Sequence, residues 1–169
     1  VLSGAAMFLW VRNMFGDKAG VLSGVLYMFA PYRFVDLYVR GAIGEHVAFL
    51  FVPLVFYFLY KLSKKISTWS VLGGGMSIAG LLLSHNAVAV MFLPIILVYL
   101  LCILYASDNR KQLATNYFIV LALGFGLSAF FLVPAFMEGK YTLRDIVTGK
   151  GEYKQGFVSI SDFISFSWN

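Results

Sequence analysis

The chain has 169 residues, of which 60% are hydrophobic and only 12% are charged, and its mean hydropathy is +0.83. A soluble domain is roughly 45–50% apolar and about 25% charged, and a domain of this length could not bury so much apolar surface in one core. The composition therefore excludes a soluble enzyme, a disordered chain and a disulfide scaffold, and it indicates an integral membrane protein.

Six apolar segments are long enough, or nearly so, to cross a bilayer, which takes about 20 residues at about 1.5 Å each. They are continuously apolar rather than alternating, which favours helices over a barrel. The stretch 69–106 contains no Asp, Glu, Lys or Arg, and as one helix it would be about 57 Å long. We therefore expect it to reverse at the polar residues 84–86. The predicted spans are 1–11, 19–32, 46–62, 69–83, 87–106 and 115–137.

The fold class that follows is an all-α integral membrane protein with about six transmembrane helices in 1–137. Residues 138–169 are more polar and are predicted to form an extracytoplasmic loop, in which the alternation at 158–168 fits either a short strand or an interfacial segment. Because Val1 lies inside an apolar run, we interpret the chain as a fragment of a larger protein.

Charge predicts the orientation of these spans. The gaps 12–18, 61–68 and 107–114 hold seven basic and two acidic residues, whereas the opposite side holds six of each. Basic loops stay in the cytoplasm, so we expect these three gaps to be cytoplasmic in a cell membrane. Segments 31–46, 84–86 and 138–169 would then be extracytoplasmic. The net charge of +5 is accordingly a topology signal, and we expect no nucleic-acid partner.

The segment 31–46 is the richest in charge. As a helix it would place Arg33, Asp36 and Arg40 on one face, which predicts an interfacial amphipathic helix with its apolar side toward lipid and its charges toward water. Two arginines beside an aspartate suit a phosphate, because the guanidinium donates in pairs and keeps its charge. The alternative is that Asp36 simply pairs with both arginines. Tyr32 is predicted to be an interface anchor.

Five further polar residues lie on the same predicted side and are candidates for substrate binding. Glu45 and His46 open the third span, where an acid is favoured by the helix dipole or binds a sugar hydroxyl or a cation. His85 and Asn86 form the turn, where Asn86 caps the next helix or both face a site. Glu138 ends the sixth span, where the dipole disfavours an acid, so a basic partner is expected. No metal-binding motif is present.

Several short motifs resemble a known family. They are Ala30-Pro31-Tyr32-Arg33, then 36–42 with Glu45, then Leu83-Ser84-His85-Asn86, and finally 131–135 with Glu138. Together they resemble bacterial membrane proteins called 6-pyruvoyl-tetrahydropterin synthase-related. That family resembles the GT-C glycosyltransferases, including the YfhO-like proteins.

The resemblance implies an enzyme that takes a sugar from a polyprenyl phosphate on the extracytoplasmic face, with the bilayer and that lipid-linked sugar as partners. The arginines would bind the phosphate, and Glu45 and His85 would bind the sugar. In such enzymes the catalytic acid lies in the first outer loop, which we expect upstream of Val1, so the resemblance assigns that role to no residue of this chain. No cofactor is implied, although a divalent cation is compatible with the site.

Two other functions remain open: a transporter or flippase of lipid-linked saccharides, and a non-catalytic membrane assembly protein. Transporters often contain internal repeats and charges at mid-membrane, and this sequence shows neither. That difference favours the enzyme.

The orientation gives a direct test. A cysteine that replaces Gly44 should react with a membrane-impermeant thiol reagent applied to intact cells, and one that replaces Lys64 should react only after the membrane is opened. The reverse pattern would overturn the predicted topology.

Overall fold

The computed structural model describes residues 1–138, and this part of the chain is helical almost throughout. Seven α-helices are joined by short connections, and a π-helical turn continues the third. The elements are α1 (Leu2–Phe15), α2 (Asp17–Met28), α3 (Pro31–Phe34), the π turn (Val35–Val39), α4 (Ile43–Lys64), α5 (Thr68–Ser84), α6 (Asn86–Ala106) and α7 (Arg110–Met137). The loop predicted for 138–169 lies, apart from its first residue, outside the described residues.

Three helices are long and apolar enough to cross a membrane, namely α4, α6 and α7, and α5 is a shorter apolar helix of 17 residues. This confirms the predicted all-α membrane fold class. The helices are interrupted where the reversal is predicted, because α5 ends at Ser84 and α6 begins at Asn86. In contrast, α2 has 12 residues. At 1.5 Å each it reaches only about 18 Å, which is less than the roughly 30 Å of a bilayer's hydrocarbon core.

Helix α4 forms the centre of the bundle and contacts α1, α5 and α6. Its side chains Val55, Leu59 and Leu62 are almost completely buried. From α7, the buried Tyr117 donates its hydroxyl hydrogen to the Leu59 carbonyl oxygen at 3.0 Å. Since an unpaired polar group costs several kcal/mol in an apolar medium, this bond explains how a tyrosine is accommodated in the core.

Pro53 lies inside α4 and has no N–H to donate to the carbonyl of Phe49, four residues earlier. The hydroxyl of Tyr27, on α2, donates to that carbonyl oxygen at 2.9 Å. A neighbouring helix therefore satisfies the group that the proline leaves free. The same bond attaches α2 to α4 close to the end of the bundle that carries residues 31–46.

Glycines allow helix backbones to approach closely at two places. A Cβ atom on Gly24 of α2 would lie 2.9 Å from the carbonyl oxygen of Gly4 in α1, and one on Gly44 of α4 would lie 2.8 Å from the carbonyl oxygen of Ser84. Small residues at such crossings are typical of membrane helix pairs. The second contact places the start of α4 beside the turn between α5 and α6.

The contact at Gly44 makes that position a poor one for an introduced cysteine. Asn86 is exposed, polar and part of the predicted extracytoplasmic segment 84–86, so Asn86→Cys is the better outer position for the labelling experiment.

Residue contacts divide the chain into two compact units, Val1–Ala129 and Phe130–Asn169. The site described below lies entirely in the first unit. Of the second unit, the structure describes the last part of α7 and Glu138.

Replacement of Gly24 by Val should destabilise the protein, because the added carbons must push the backbones of α1 and α2 apart, at a cost of about 1–3 kcal/mol. Thermal unfolding in detergent measures the effect. Gly126→Ala on α7 is the matched control, because a Cβ there meets nothing within 4 Å, and it should be neutral or stabilising by up to about 1 kcal/mol. Equal melting temperatures for both variants would contradict the close contact.

Candidate functional site

The site begins with the sharp turn that joins the short helix at Pro31 to α4. Pro31 occupies the first turn of α3, where its missing N–H costs no hydrogen bond. The helix then widens, since the Arg40 N–H bonds to the carbonyl oxygen of Val35, five residues back. Gly41 follows with φ of +63°, a conformation that favours glycine. The chain thereby folds back, and Glu45 in the first turn of α4 faces Arg40.

Five side chains meet at this turn, and we call them the rim cluster: Tyr32, Asp36, Arg40, Glu45 and His85. Arg40 holds Glu45 in a bidentate pair, with Nη1–Oε2 of 2.9 Å and Nη2–Oε1 of 3.3 Å. It also donates to Asp36 Oδ1 at 3.2 Å and to the Tyr32 hydroxyl at 2.6 Å. That hydroxyl in turn donates to Glu45 Oε2 at 3.0 Å. One arginine therefore links two carboxylates and a phenol.

His85 joins the rim cluster through the backbone contact between Gly44 and Ser84. Its Nδ1 accepts the Val88 N–H at 3.4 Å and so caps α6, which leaves the ring proton of the neutral form on Nε2. Nε2 lies 4.0 Å from Glu45 Oε1. The expectation that Asn86 caps this helix is wrong. The cap is His85, which has an extended conformation and whose side chain accepts a free N–H of the first turn.

Asp36 is the most deeply buried member of the rim cluster, with a side chain that is 0% exposed. Burial raises its pKa to about 6, the neighbouring Glu45 adds to the rise, and Arg40 opposes it. Near neutral pH, the two adjacent carboxyl groups of Asp36 and Glu45 therefore differ in their tendency to hold a proton. Such a pair offers both an acid and an acceptor to a ligand.

Arg33 does not join the rim cluster. Its Nη2 lies 3.3 Å from His46 Nε2, and its guanidinium lies over the rings of Tyr27 and Phe49, at 5.0 and 5.3 Å from their centroids. The predicted fork of Arg33 and Arg40 around one phosphate is therefore wrong.

The π turn explains the separation. It contains more residues per turn than an α-helix, so Arg33 and Arg40, seven residues apart, do not return to the same face. The alternative, in which Asp36 pairs with both arginines, holds only for Arg40 within the described residues.

The direction of the charged face also differs from the prediction. Arg33 and Asp36 are buried against the protein, whereas Tyr38 and Val39 are 76% and 79% exposed. The charges turn inward because their hydrogen-bond partners outside this segment lie on α2 and α4. The exposed apolar side is the one that lipid would cover.

The remaining predicted residues are distributed as follows. His46 lies beside Arg33 rather than in the rim cluster, Asn86 is exposed, and Glu138 follows α7 in the second unit. Their roles in substrate binding stay predictions. Among residues 1–138, no three His, Cys, Asp or Glu side chains converge as metal ligands would.

Sequence reasoning missed two features of the site. Tyr32 was expected to be an interface anchor, but its hydroxyl lies between Arg40 and Glu45. Its partners are eight and thirteen residues away, so no helical spacing in the sequence indicates this contact. The rings around Arg33 come from α2 and α4, and nothing local in the sequence indicates that contact.

A family model matches residues 1–164 of the chain, and its description is 6-pyruvoyl-tetrahydropterin synthase related domain, membrane protein. The chain belongs to this family. The match agrees with the resemblance carried by the motifs at 30–45 and 83–86, and membrane association follows from it together with the three long apolar helices.

A protein from Lactococcus lactis subsp. cremoris (strain MG1363), described as uncharacterized, is 34% identical over 158 residues. The match covers 89% of this chain and 23% of that relative, so the chain spans less than a quarter of the relative's length. No solved structure matches the chain.

The buried Asp36 predicts a specific pH dependence. Its pKa is higher in the folded than in the unfolded state, so the folded state holds the proton more tightly, and this stabilisation is complete below about pH 4 and is lost as the pH rises through about 6. A rise of this size is worth at most about 3 kcal/mol. Asp36→Asn keeps an acceptor for Arg40 without a titrating group. The melting temperature of Asp36→Asn minus that of the wild type should therefore increase from pH 4 to pH 7. A difference that stays constant with pH would contradict the raised pKa of Asp36.

Proposed function

We propose that this chain is part of a membrane-embedded glycosyltransferase of GT-C type that takes a sugar from a polyprenyl phosphate on the extracytoplasmic face. The rim cluster is the sugar-binding part of that site. The main support is the geometry at the start of α4, where two carboxylates, one guanidinium, one phenol and one imidazole meet at the end of an apolar bundle.

A sugar presents several hydroxyl groups, each of which donates and accepts a hydrogen bond. Arg40 offers N–H donors, Glu45 offers carboxylate acceptors, and Asp36 supplies a further, buried acceptor; these carboxylate oxygens lie 2.9–3.3 Å from the Arg40 guanidinium. The partial exposure of Arg40 and His85, at 47% and 34%, leaves the cluster open to a ligand. Hydrogen bonds to charged groups are the strong ones, so a sugar bound here would be held with defined orientation.

The position of the cluster also supports this function. All five members lie at one end of the bundle, in segments that the charge distribution predicts to be extracytoplasmic. A site at this depth can receive a sugar from a donor whose lipid remains in the bilayer. The family assignment is compatible with the proposal, since it places the chain in a membrane protein.

The proposal is tested with the full-length protein reconstituted in closed lipid vesicles, supplied with polyprenyl-phosphate sugars and a hydroxyl-bearing acceptor for the sugar, and assayed for released polyprenyl phosphate. Glu45→Gln should lower kcat/KM about 10- to 100-fold, because a hydrogen bond to a charged group contributes roughly 1.5–3 kcal/mol. Asp17→Asn is the matched control, since Asp17 is an exposed acid on α2, and it should leave the rate unchanged.

Two outcomes would overturn the proposal. If Glu45→Gln released polyprenyl phosphate at the wild-type rate, the rim cluster would not be part of the sugar-binding site. Movement of intact lipid-linked sugar across the membrane without release of polyprenyl phosphate would identify a flippase instead.

A further inference from the structure

Arg33 is a buried cation without an acidic partner in the described part of the chain. Its side chain is 6% exposed, and no Asp or Glu carboxylate of residues 1–138 forms an ion pair with it. Its contacts are neutral: the Tyr27 carbonyl oxygen at 3.5 Å, His46 Nε2 at 3.3 Å and two aromatic rings. Burial of an unpaired charge is costly, so a compensating anion is expected.

His46 supplies an unsatisfied N–H donor beside Arg33. A guanidinium can only donate, so His46 Nε2 must accept from Arg33, and the proton of the neutral ring then lies on Nδ1. Nδ1 is buried and has no hydrogen-bond partner within the described residues. Arg33 and His46 both line one cavity of about 200 Å³. This cavity therefore brings together a positive charge and an N–H group that no protein acceptor satisfies.

The charge balance distinguishes this cavity from the rim cluster. Arg40 is already held by two carboxyl groups, Asp36 and Glu45, and the rim cluster has no surplus positive charge to offer a phosphate. Arg33 has no carboxylate at ion-pair distance among residues 1–138, and Asp36 acts on it only at longer range. An anionic ligand that reaches this end of the bundle is thus attracted to Arg33 rather than to Arg40.

The walls of the cavity indicate what carries the anion. The cavity is lined by Val1, Met28, Phe29, Phe34, Leu37 and Tyr38 together with Arg33 and His46. Phe29, Phe34 and Tyr38 are exposed and stacked in series, with ring centroids 6.2 and 6.3 Å apart. Exposed aromatic rings of this kind are typical of the membrane interface. At about 200 Å³ the cavity is smaller than the roughly 300–1,000 Å³ that encloses a drug-sized ligand, so it would take a headgroup rather than a whole lipid.

We propose that Arg33 and His46 form a binding pocket for the phosphate of a polyprenyl phosphate, either joined to its sugar or after the sugar has left, separate from the rim cluster. The inference rests on the proposed function and deepens it, because it assigns the phosphate and the sugar of one donor to two neighbouring pockets. Arg33 pairs with the phosphate, the Nδ1–H of His46 donates to it, and the stacked rings contact the first part of the lipid chain.

The test measures binding of a polyprenyl monophosphate to the full-length protein in detergent, with the matching polyprenol and inorganic phosphate as the other probes. Arg33→Gln should weaken binding of polyprenyl monophosphate about tenfold or more, and Arg40→Gln should weaken it less. The polyprenol should bind weakly to all forms. Inorganic phosphate should compete poorly, and equal affinity for inorganic phosphate would show a free-phosphate site and overturn the assignment to a lipid.

A variant that leaves the charge in place guards against misfolding of Arg33→Gln. Leu37→Trp fills the cavity and should also weaken polyprenyl monophosphate binding about tenfold or more. Val39→Trp is its matched control on the same turn, because Val39 is exposed and does not line the cavity. Wild-type affinity in Leu37→Trp, or a greater loss in Arg40→Gln than in Arg33→Gln, would overturn the pocket.

The two proposals fail in different ways. Binding of polyprenyl monophosphate that depends on Arg33, without any release of a sugar, would leave the phosphate pocket standing and reject the transferase. Sugar transfer that is insensitive to Arg33→Gln would reject the pocket and leave the transferase standing.

Discussion

The bidentate pair between Arg40 and Glu45 is the interaction on which the site depends. It bridges the turn at Gly41, so it fixes the short helix at Pro31 against the first turn of α4. The same guanidinium holds Asp36 and the Tyr32 hydroxyl. Without this pair, a buried carboxyl group would face a second acid with no cation between them, which is a costly arrangement. The rim cluster is therefore one coupled unit rather than a set of independent side chains.

The bundle beneath the site follows a different constraint, namely that backbone groups in an apolar medium must be satisfied by the protein. Tyr27 satisfies the carbonyl that Pro53 frees, and Tyr117 satisfies its own hydroxyl against Leu59. The contact of Gly44 with the Ser84 carbonyl brings His85 to Glu45. The packing of the membrane helices and the geometry of the site are thus linked through residues such as Gly44, which take no part in the chemistry of the site.

Most of the fold could be predicted because the signals are local. Long apolar runs indicate helices whatever surrounds them, and the polar residues at 84–86 mark a reversal because the run is too long for one span. The candidate residues Asp36, Arg40, Glu45 and His85 were predictable as a group. All four lie on the same predicted side of the membrane when successive spans alternate in direction. The grouping of Arg33 with Arg40 failed, because it assumed α-helical spacing through a segment that contains a π turn.

The sequence by itself determined the class of protein, its helices and the side of the membrane on which its charges are expected, because each of these depends on composition and on spacing along the chain. Only the tertiary structure decided which charges are paired. Arg33 and Arg40 are equivalent in the sequence, but one is surrounded by aromatic rings from α2 and α4 and the other by two carboxylates. Coulombic and hydrogen-bond energies depend on distance and orientation in space, and these are set by how distant segments pack.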